Sequence, residues 1–304
     1  MNKFILGSGV VGLLAKHILG DQYTLIPYKK SRYYSFDIPI ADNEIAFNDQ
    51  TSELLSSLHI LTKKQYFPTA VSLKGELFFN KNIWINPVVE KIYQDDPHPL
   101  AAKILSADID AHSVTVKELY GHLMEKHSKD TNAGLQMNID SISTSKRTIT
   151  IDGETFDYDR IVSTIPLYTL LNLTKTRSPL DADDYHVYLI ATDAFNLEGA
   201  KRCFIGDLPI PFWKVNVIGQ GAYQFFSNGE AAGAEAVFSL LTKGRFRIVA
   251  STKIDRAFPR GAPPVILLER LKSNDIECIG SNARWDYFYD ISTCLNHLLK
   301  MKNV

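Results

Sequence analysis

The sequence has 304 residues, 45% hydrophobic and 22% charged, a composition that excludes disordered and collagen-like chains and gives material for one large or two medium domains. A formal net charge of -1 removes any bulk attraction to nucleic acid or anionic membrane, and no stretch reaches the roughly 18 apolar residues needed to span a bilayer. Cys203, Cys278 and Cys294 are widely spaced, with no CxxC pair and no histidine at zinc-ligand spacing, so neither a disulfide framework nor a metal is expected. The apolar start is cut at once by glycines and reads as a strand rather than a leader, so a cytoplasmic protein with no membrane partner is expected.

Phe4-Ile5-Leu6 is the short apolar run that a parallel strand buried on both faces requires. Gly7-Ser8-Gly9-Val10-Val11-Gly12 follows, and Leu13, Leu14, His17 and Ile18 then recur at helical spacing until Gly20-Asp21. Tyr23-Thr24-Leu25-Ile26 is a second β-rich run, which completes a βαβ unit over residues 3–28. In such a unit Gly7 permits the tight turn and Gly9 lets backbone approach a pyrophosphate. Gly12 lets the helix pack against the strand, with the phosphates at its N-terminus. The fingerprint is informative because a strand precedes it and a helix follows. One expected feature is missing. Where an acid ordinarily closes the second strand to hold the adenosine ribose, this chain has Pro27-Tyr28-Lys29. Lys29, Lys30 and Arg32 offer charge for a phosphate there, which keeps NADP open as an alternative ligand.

Residues 36–100 are polar and broken by Pro39, Pro68, Pro87, Pro97 and Pro99, with short aromatic strands such as Leu77-Phe78-Phe79. A helix is expected over 114–127, capped by Ser113, with Val116, Leu119, Tyr120 and Leu123 as its apolar stripe. Alternating runs at 135–142, 147–151 and 155–158 suggest a β-meander leading into a buried strand from Arg160 to Ile165, stopped by Pro166. From 184 to 262 the chain is strand-rich and aromatic, with Tyr185, Tyr188, Phe212, Trp213, Tyr223, Phe225 and Phe226, and reads as a separate antiparallel sheet. Ile276-Glu277-Cys278-Ile279-Gly280 is another parallel strand, and a helix is expected from Tyr289 to Leu299.

Five separated segments, in order, resemble the FAD-dependent amine oxidoreductase superfamily, which includes protoporphyrinogen oxidase, amine oxidases and UDP-galactopyranose mutase. They are the glycine fingerprint, Leu135 to Ile142, Tyr158 to Leu167, Pro209 to Val215, and Cys278 to Tyr287. The resemblance implies an α/β fold: a Rossmann-type FAD-binding domain with a discontinuous, mostly antiparallel, β-rich substrate domain. It assigns 1–40, 105–175 and 265–304 to the FAD-binding domain, and 41–104 and 176–264 to the substrate domain. FAD is the implied cofactor, with Gly7, Ser8, Gly9, Val10, Val11, Gly12, Lys29, Arg32, Ile139, Thr164, Pro166, Gly280, Ser281, Trp285, Asp286 and Tyr287 as its binding residues. A helix after Gly280 is expected to aim its positive end at the reduced flavin. Two departures stand out: Ser281 follows the final glycine where the family often has arginine, and Lys214 stands where mutase-like members carry arginine. An arginine fork and a lysine point charge grip phosphate differently.

The substrate-side candidates are Trp213, Lys214, Tyr223 and Phe225 on the aromatic sheet, with His186 as an acid–base group. The leading expectation is an FAD-dependent oxidoreductase acting on a C–N bond of an amine by hydride transfer to flavin. Alternatives are a mutase-like enzyme with reduced flavin as nucleophile, a flavoenzyme acting on a modified nucleobase amine in DNA, and a non-catalytic dinucleotide-binding protein. The DNA alternative rests on the basic cluster Lys243, Arg245, Arg247, Lys253, Arg256 and Arg260, which read alone is a solvated face.

Overall fold

A computed structural model describes residues 2–28, 44–47, 49–66, 68–79, 88, 91, 110–127, 137–177, 180–207, 210–228, 233–259, 263–286 and 289–303. The first elements are β1 (Lys3–Leu6), α1 (Val10–Leu19) and β2 (Tyr23–Ile26). Next come β3 (Glu44–Phe47), α2 (Asp49–Ser57), β4 (Lys63–Tyr66), β5 (Thr69–Leu73) and β6 (Glu76–Phe78). They are followed by β7 (Asp110–Thr115), α3 (Val116–Lys126), β8 (Ile139–Ser143), β9 (Thr148–Ile151), β10 (Glu154–Asp157), β11 (Arg160–Ser163) and α4 (Leu167–Leu173). Then come β12 (Ala182–Ala191), β13 (Arg202–Ile205), β14 (Lys214–Gly219), β15 (Ala222–Asn228), α5 (Ala234–Leu241) and β16 (Arg247–Pro259). Last are α6 (Val265–Lys272), β17 (Ile276–Cys278), α7 (Ser281–Arg284) and α8 (Ile291–Lys302).

Three segments far apart in sequence build one parallel sheet, in the order β17-β11-β1-β2. Its strands bury most of their residues on both faces, with Phe4, Ile5, Leu6, Leu25, Ile26, Ile161, Val162 and Ile276 as the apolar ones. Along β1, Ile5 faces a core with Leu13, Leu14 and Ile18 of α1, Leu119 and Leu123 of α3, and Leu295 and Leu298 of α8. Phe4 and Leu6 face the opposite core, shared with Ile142 and Ile149 of the meander, Leu170 of α4, Leu271 of α6 and Trp285. The alternation follows from the two-residue period of a strand. The meander itself is the three-stranded antiparallel sheet β10-β9-β8.

A second, seven-stranded sheet has the order β16-β12-β15-β14-β13-β5-β6. Its ladders are antiparallel except β5 against β13, which is parallel. It is the aromatic sheet that the sequence suggests, extended at one edge by strands from 69–78. A small fourth sheet, β3-β7-β4, adjoins α3. The expected cap of α3 is corrected. Ser113 lies within β7, and Thr115 caps the helix: its hydroxyl accepts the Glu118 amide at 3.0 Å while the Glu118 carboxylate accepts the Thr115 amide at 3.2 Å. The threonine–glutamate spacing completes a reciprocal box that Ser113, followed at the same spacing by Val116, lacks.

Candidate functional site

The C-terminal ends of β1, β11 and β17 converge on the N-terminus of α1. Gly7 has φ +101°, a left-handed conformation, and a Cβ there would lie 2.6 Å from the Thr164 hydroxyl. Gly12 faces back onto the same turn, where a Cβ would lie 1.9 Å from the Gly7 carbonyl oxygen. Thr164 locks the turn by donating its hydroxyl to the Leu6 carbonyl at 2.8 Å, and its amide also donates to that carbonyl. Gly280, with φ +110°, meets Val11 in ordinary contact, so the loop after β17 passes beside the first turn of α1. Gly9 is the N-cap of α1 and has no side-chain cap bond, and no acid sits in the first turn. The free amides at that end therefore suit an anion, approached over backbone that carries no Cβ.

The other expected cofactor residues distribute around this centre. Ser8, Val10 and Val11 lie in the turn and first helical turn, and Pro166 caps α4 just beyond Thr164. Ile139 is buried in β8, next to Met137, which forms a parallel bridge to Tyr28 at the end of β2. Tyr28 thus occupies the place of the missing acid. Burial and the neighbouring Tyr168 push its phenol pKa upward. Ser281 begins α7, Asp286 donates its amide to the Ser281 carbonyl at 2.9 Å, and Trp285 is buried edge-to-face against Tyr168. The helix expected after Gly280 starts there, at Ser281. The four-residue α7 ends at Trp285 in a left-handed conformation and develops no macrodipole of consequence. Lys29, Arg32 and Tyr287 lie outside the described residues.

On the seven-stranded sheet, register decides which candidates meet. One row runs Thr69, Arg202, Asn216, Gln224 and Leu189; the next runs Val71, Phe204, Lys214, Phe226 and Val187. Both rows point to the same face. Lys214 is 3% exposed, with its ammonium 4.2 Å from the Phe226 ring centroid and 5.3 Å from that of Trp213. Asn216 donates to Gln224 at 3.4 Å, and the Arg202 Nε is buried with no hydrogen-bond partner among the described residues. Trp213 and Lys214 are therefore brought together, beside polar residues that sequence reasoning missed.

Tyr223 and His186 point to the opposite face. The Tyr223 hydroxyl donates to the Phe195 carbonyl, and His186 stacks on Tyr188. Phe225 packs there too, against Phe212 and Phe238. Lys91, not singled out from the sequence, donates to the carbonyls of Asp207 at 2.6 Å and Phe212 at 2.7 Å; burial lowers its pKa to about 8. It ties the segment leading into Trp213. Of the basic cluster, Arg245 pairs with Asp193 and Lys253 with Asp184. Among the described residues no cluster of His, Cys, Asp and Glu could hold a metal ion.

No family model matches the chain, and no curated protein matches it. Solved structures do. Reduced UDP-galactopyranose mutase aligns with a TM-score of 0.73 at 15% identity, covering 99% of this chain and 93% of that one. A CLA-producing fatty acid isomerase from P. acnes aligns at 0.69 and 11% identity, covering 99% and 98%. Wild-type putrescine oxidase bound to putrescine aligns at 0.60 and 14% identity, again covering 99% and 98%. The chain thus has, over nearly its whole length, the fold of UDP-galactopyranose mutase and putrescine oxidase, the fold that its resemblance to the FAD-dependent amine oxidoreductase superfamily implies.

Proposed function

We propose that this protein is a flavoenzyme that holds FAD across the glycine turn and oxidises a C–N bond of a small amine. The observation that carries the reading is the glycine turn at the uncapped N-terminus of α1, where Gly7 and Gly12 pack against Thr164 and each other too closely to admit a Cβ and Gly280 passes beside Val11. The residues present fit the group. Amides at the start of α1 would hold the pyrophosphate, and the Thr164 hydroxyl keeps the turn in shape to receive it. Tyr28 and Ile139 line the side where the adenosine would lie. When bound, FAD supplies a hydride acceptor.

The chain's own contribution on the substrate side is the face bearing Trp213, Phe204, Phe226, Lys214 and Arg202. Its aromatic walls exclude water. A cation there disfavours a second positive charge nearby, so an amine bound beside Lys214 releases its proton more readily and presents its lone pair. The same two cations favour a second reading, a mutase-like enzyme whose substrate bears phosphate, and the likeness to UDP-galactopyranose mutase supports it.

Anaerobic mixing separates the two. Bleaching of the flavin bands by an amine, followed by consumption of an acceptor on re-aeration, is the expected result. No bleaching by any amine, together with isomerisation of a nucleotide sugar by the pre-reduced protein and no net acceptor use, would overturn the amine reading for the mutase one.

A further inference from the structure

The start of α6 carries a feature that the cofactor reading does not use. Pro263 and Pro264 lead into the helix, and Val265 and Ile266 then stand 62% and 88% exposed on its outer side. The inner side is ordinary, with Leu268 and Leu271 buried in the core beside the parallel sheet. One turn after Ile266 comes exposed Arg270, and the segment after α4 brings exposed Arg177. Between that segment and α6 lies an open groove of about 530 Å³, lined by Thr176, Arg177, Pro264 to Leu267 and Arg270, with no carboxylate among the described residues. Glu269, the only acid on α6, lines a different cavity with Lys272 and Glu277.

Scattered exposed aliphatics are normal on a protein surface. Two adjacent ones on a proline-stiffened helix start, beside a groove lined by two arginines, form a different arrangement. We propose that this tip docks the protein onto an anionic lipid surface, with Val265 and Ile266 entering the headgroup–acyl boundary and Arg177 and Arg270 meeting lipid phosphates or carboxylates. Long basic side chains suit that role, because their stems lie along apolar surface while the charge stays at the headgroups. The contact is peripheral: among the described residues no helix is long and apolar enough to cross a membrane.

The chemistry separates this occupant from others. A nucleic acid would use the cations but gains little from two aliphatic side chains, and none of the residues from Pro264 to Leu267 offers an aromatic stacking platform. A second copy meeting this face about a two-fold axis would cover the aliphatics but bring the same arginines together.

The test is co-sedimentation of the whole protein with vesicles of phosphatidylcholine alone or enriched in phosphatidylserine. Binding is expected on the phosphatidylserine vesicles only, weakening as salt is raised. Ile266→Gln should reduce partitioning about tenfold or more, and Arg177→Gln and Arg270→Gln about fivefold each. All three sites are exposed, so the urea midpoint should stay unchanged and shows that each variant is folded. Wild-type protein that stays in the supernatant would overturn the proposal, as would binding that ignores all three substitutions. Loss of duplex DNA binding in the arginine variants, without vesicle binding, would assign the face to nucleic acid. A wild-type dimer broken by Ile266→Gln would assign it to a second copy. The test needs no flavin, so its outcome is independent of the proposed activity.

Discussion

Gly12→Ala probes the joint between fold and cofactor. The added Cβ would sit 1.9 Å from the Gly7 carbonyl oxygen and 3.0 Å from the Thr164 hydroxyl. Real Cβ contacts essentially never fall below 3.0 Å, so α1 must withdraw by about 1 Å, the difference between 3.0 and 1.9. Overpacking of this kind costs about 1–3 kcal/mol, and sometimes more where the obstructing atom is backbone. Replacing glycine by alanine inside a helix returns about 1 kcal/mol through propensity. The steric term wins, because the helix is pinned on its other side by Leu13, Leu14 and Ile18 in the core. A net loss of about 1–2 kcal/mol is expected in urea unfolding. FAD affinity should fall further than stability, since the same withdrawal moves the amides that would meet the pyrophosphate. Gly20→Ala is the control. Gly20 has φ +81° with nothing within 4 Å of a Cβ, so it carries only backbone strain, about 1–3 kcal/mol, and should leave FAD affinity unchanged. Equal FAD affinity in Gly12→Ala and wild type would refute the assignment of this turn to the phosphates.

Three further outcomes are expected. Thr115→Ala removes the hydroxyl that accepts the Glu118 amide and should lower unfolding free energy by about 1 kcal/mol, read from the denaturant midpoint. His17, with its pKa lowered to about 4 by burial and by the nearby Lys126 charge, folds as the neutral imidazole. Between pH 6.5 and about 4 the unfolded chain binds the extra proton, so this stabilising contribution is present above pH 6.5 and is lost as pH falls towards 4. His17→Gln should flatten that part of the stability–pH curve; an unchanged slope would remove His17 from the account. Lys214→Met keeps bulk but removes the charge on the face proposed for the substrate, and should cut turnover about 100-fold or more with flavin content unchanged. A purely structural role for Lys214 would show instead as lost stability with the remaining folded enzyme fully active.

Much of the parallel-sheet unit was legible in the sequence, because its signals are local. The short runs Phe4 to Leu6, Arg160 to Ile165 and Ile276 to Ile279, each with an apolar centre or apolar ends, identify strands covered on both faces, and the glycine spacing identifies the turn. The meander was legible for the same reason, since its alternation is written into each strand. The face proposed for the substrate was not. Arg202, Asn216, Gln224 and Thr69 become neighbours only through cross-strand register, which no single strand encodes. Strand parity also separates His186 and Tyr223 from Lys214, although all lie in the same aromatic stretch. Lys91 was invisible because its partners are backbone carbonyls some 116 and 121 residues away. The start of the helix after Gly280 was legible in the motif, while Trp285 turning left-handed decides where it stops.

The central claim is that the glycine cradle holds FAD, and the visible absorption spectrum of the purified protein, before and after heat denaturation, tests it most directly. The account predicts a yellow protein with flavin bands that releases one FAD per chain on heating. A colourless protein that also fails to take up added FAD would contradict it.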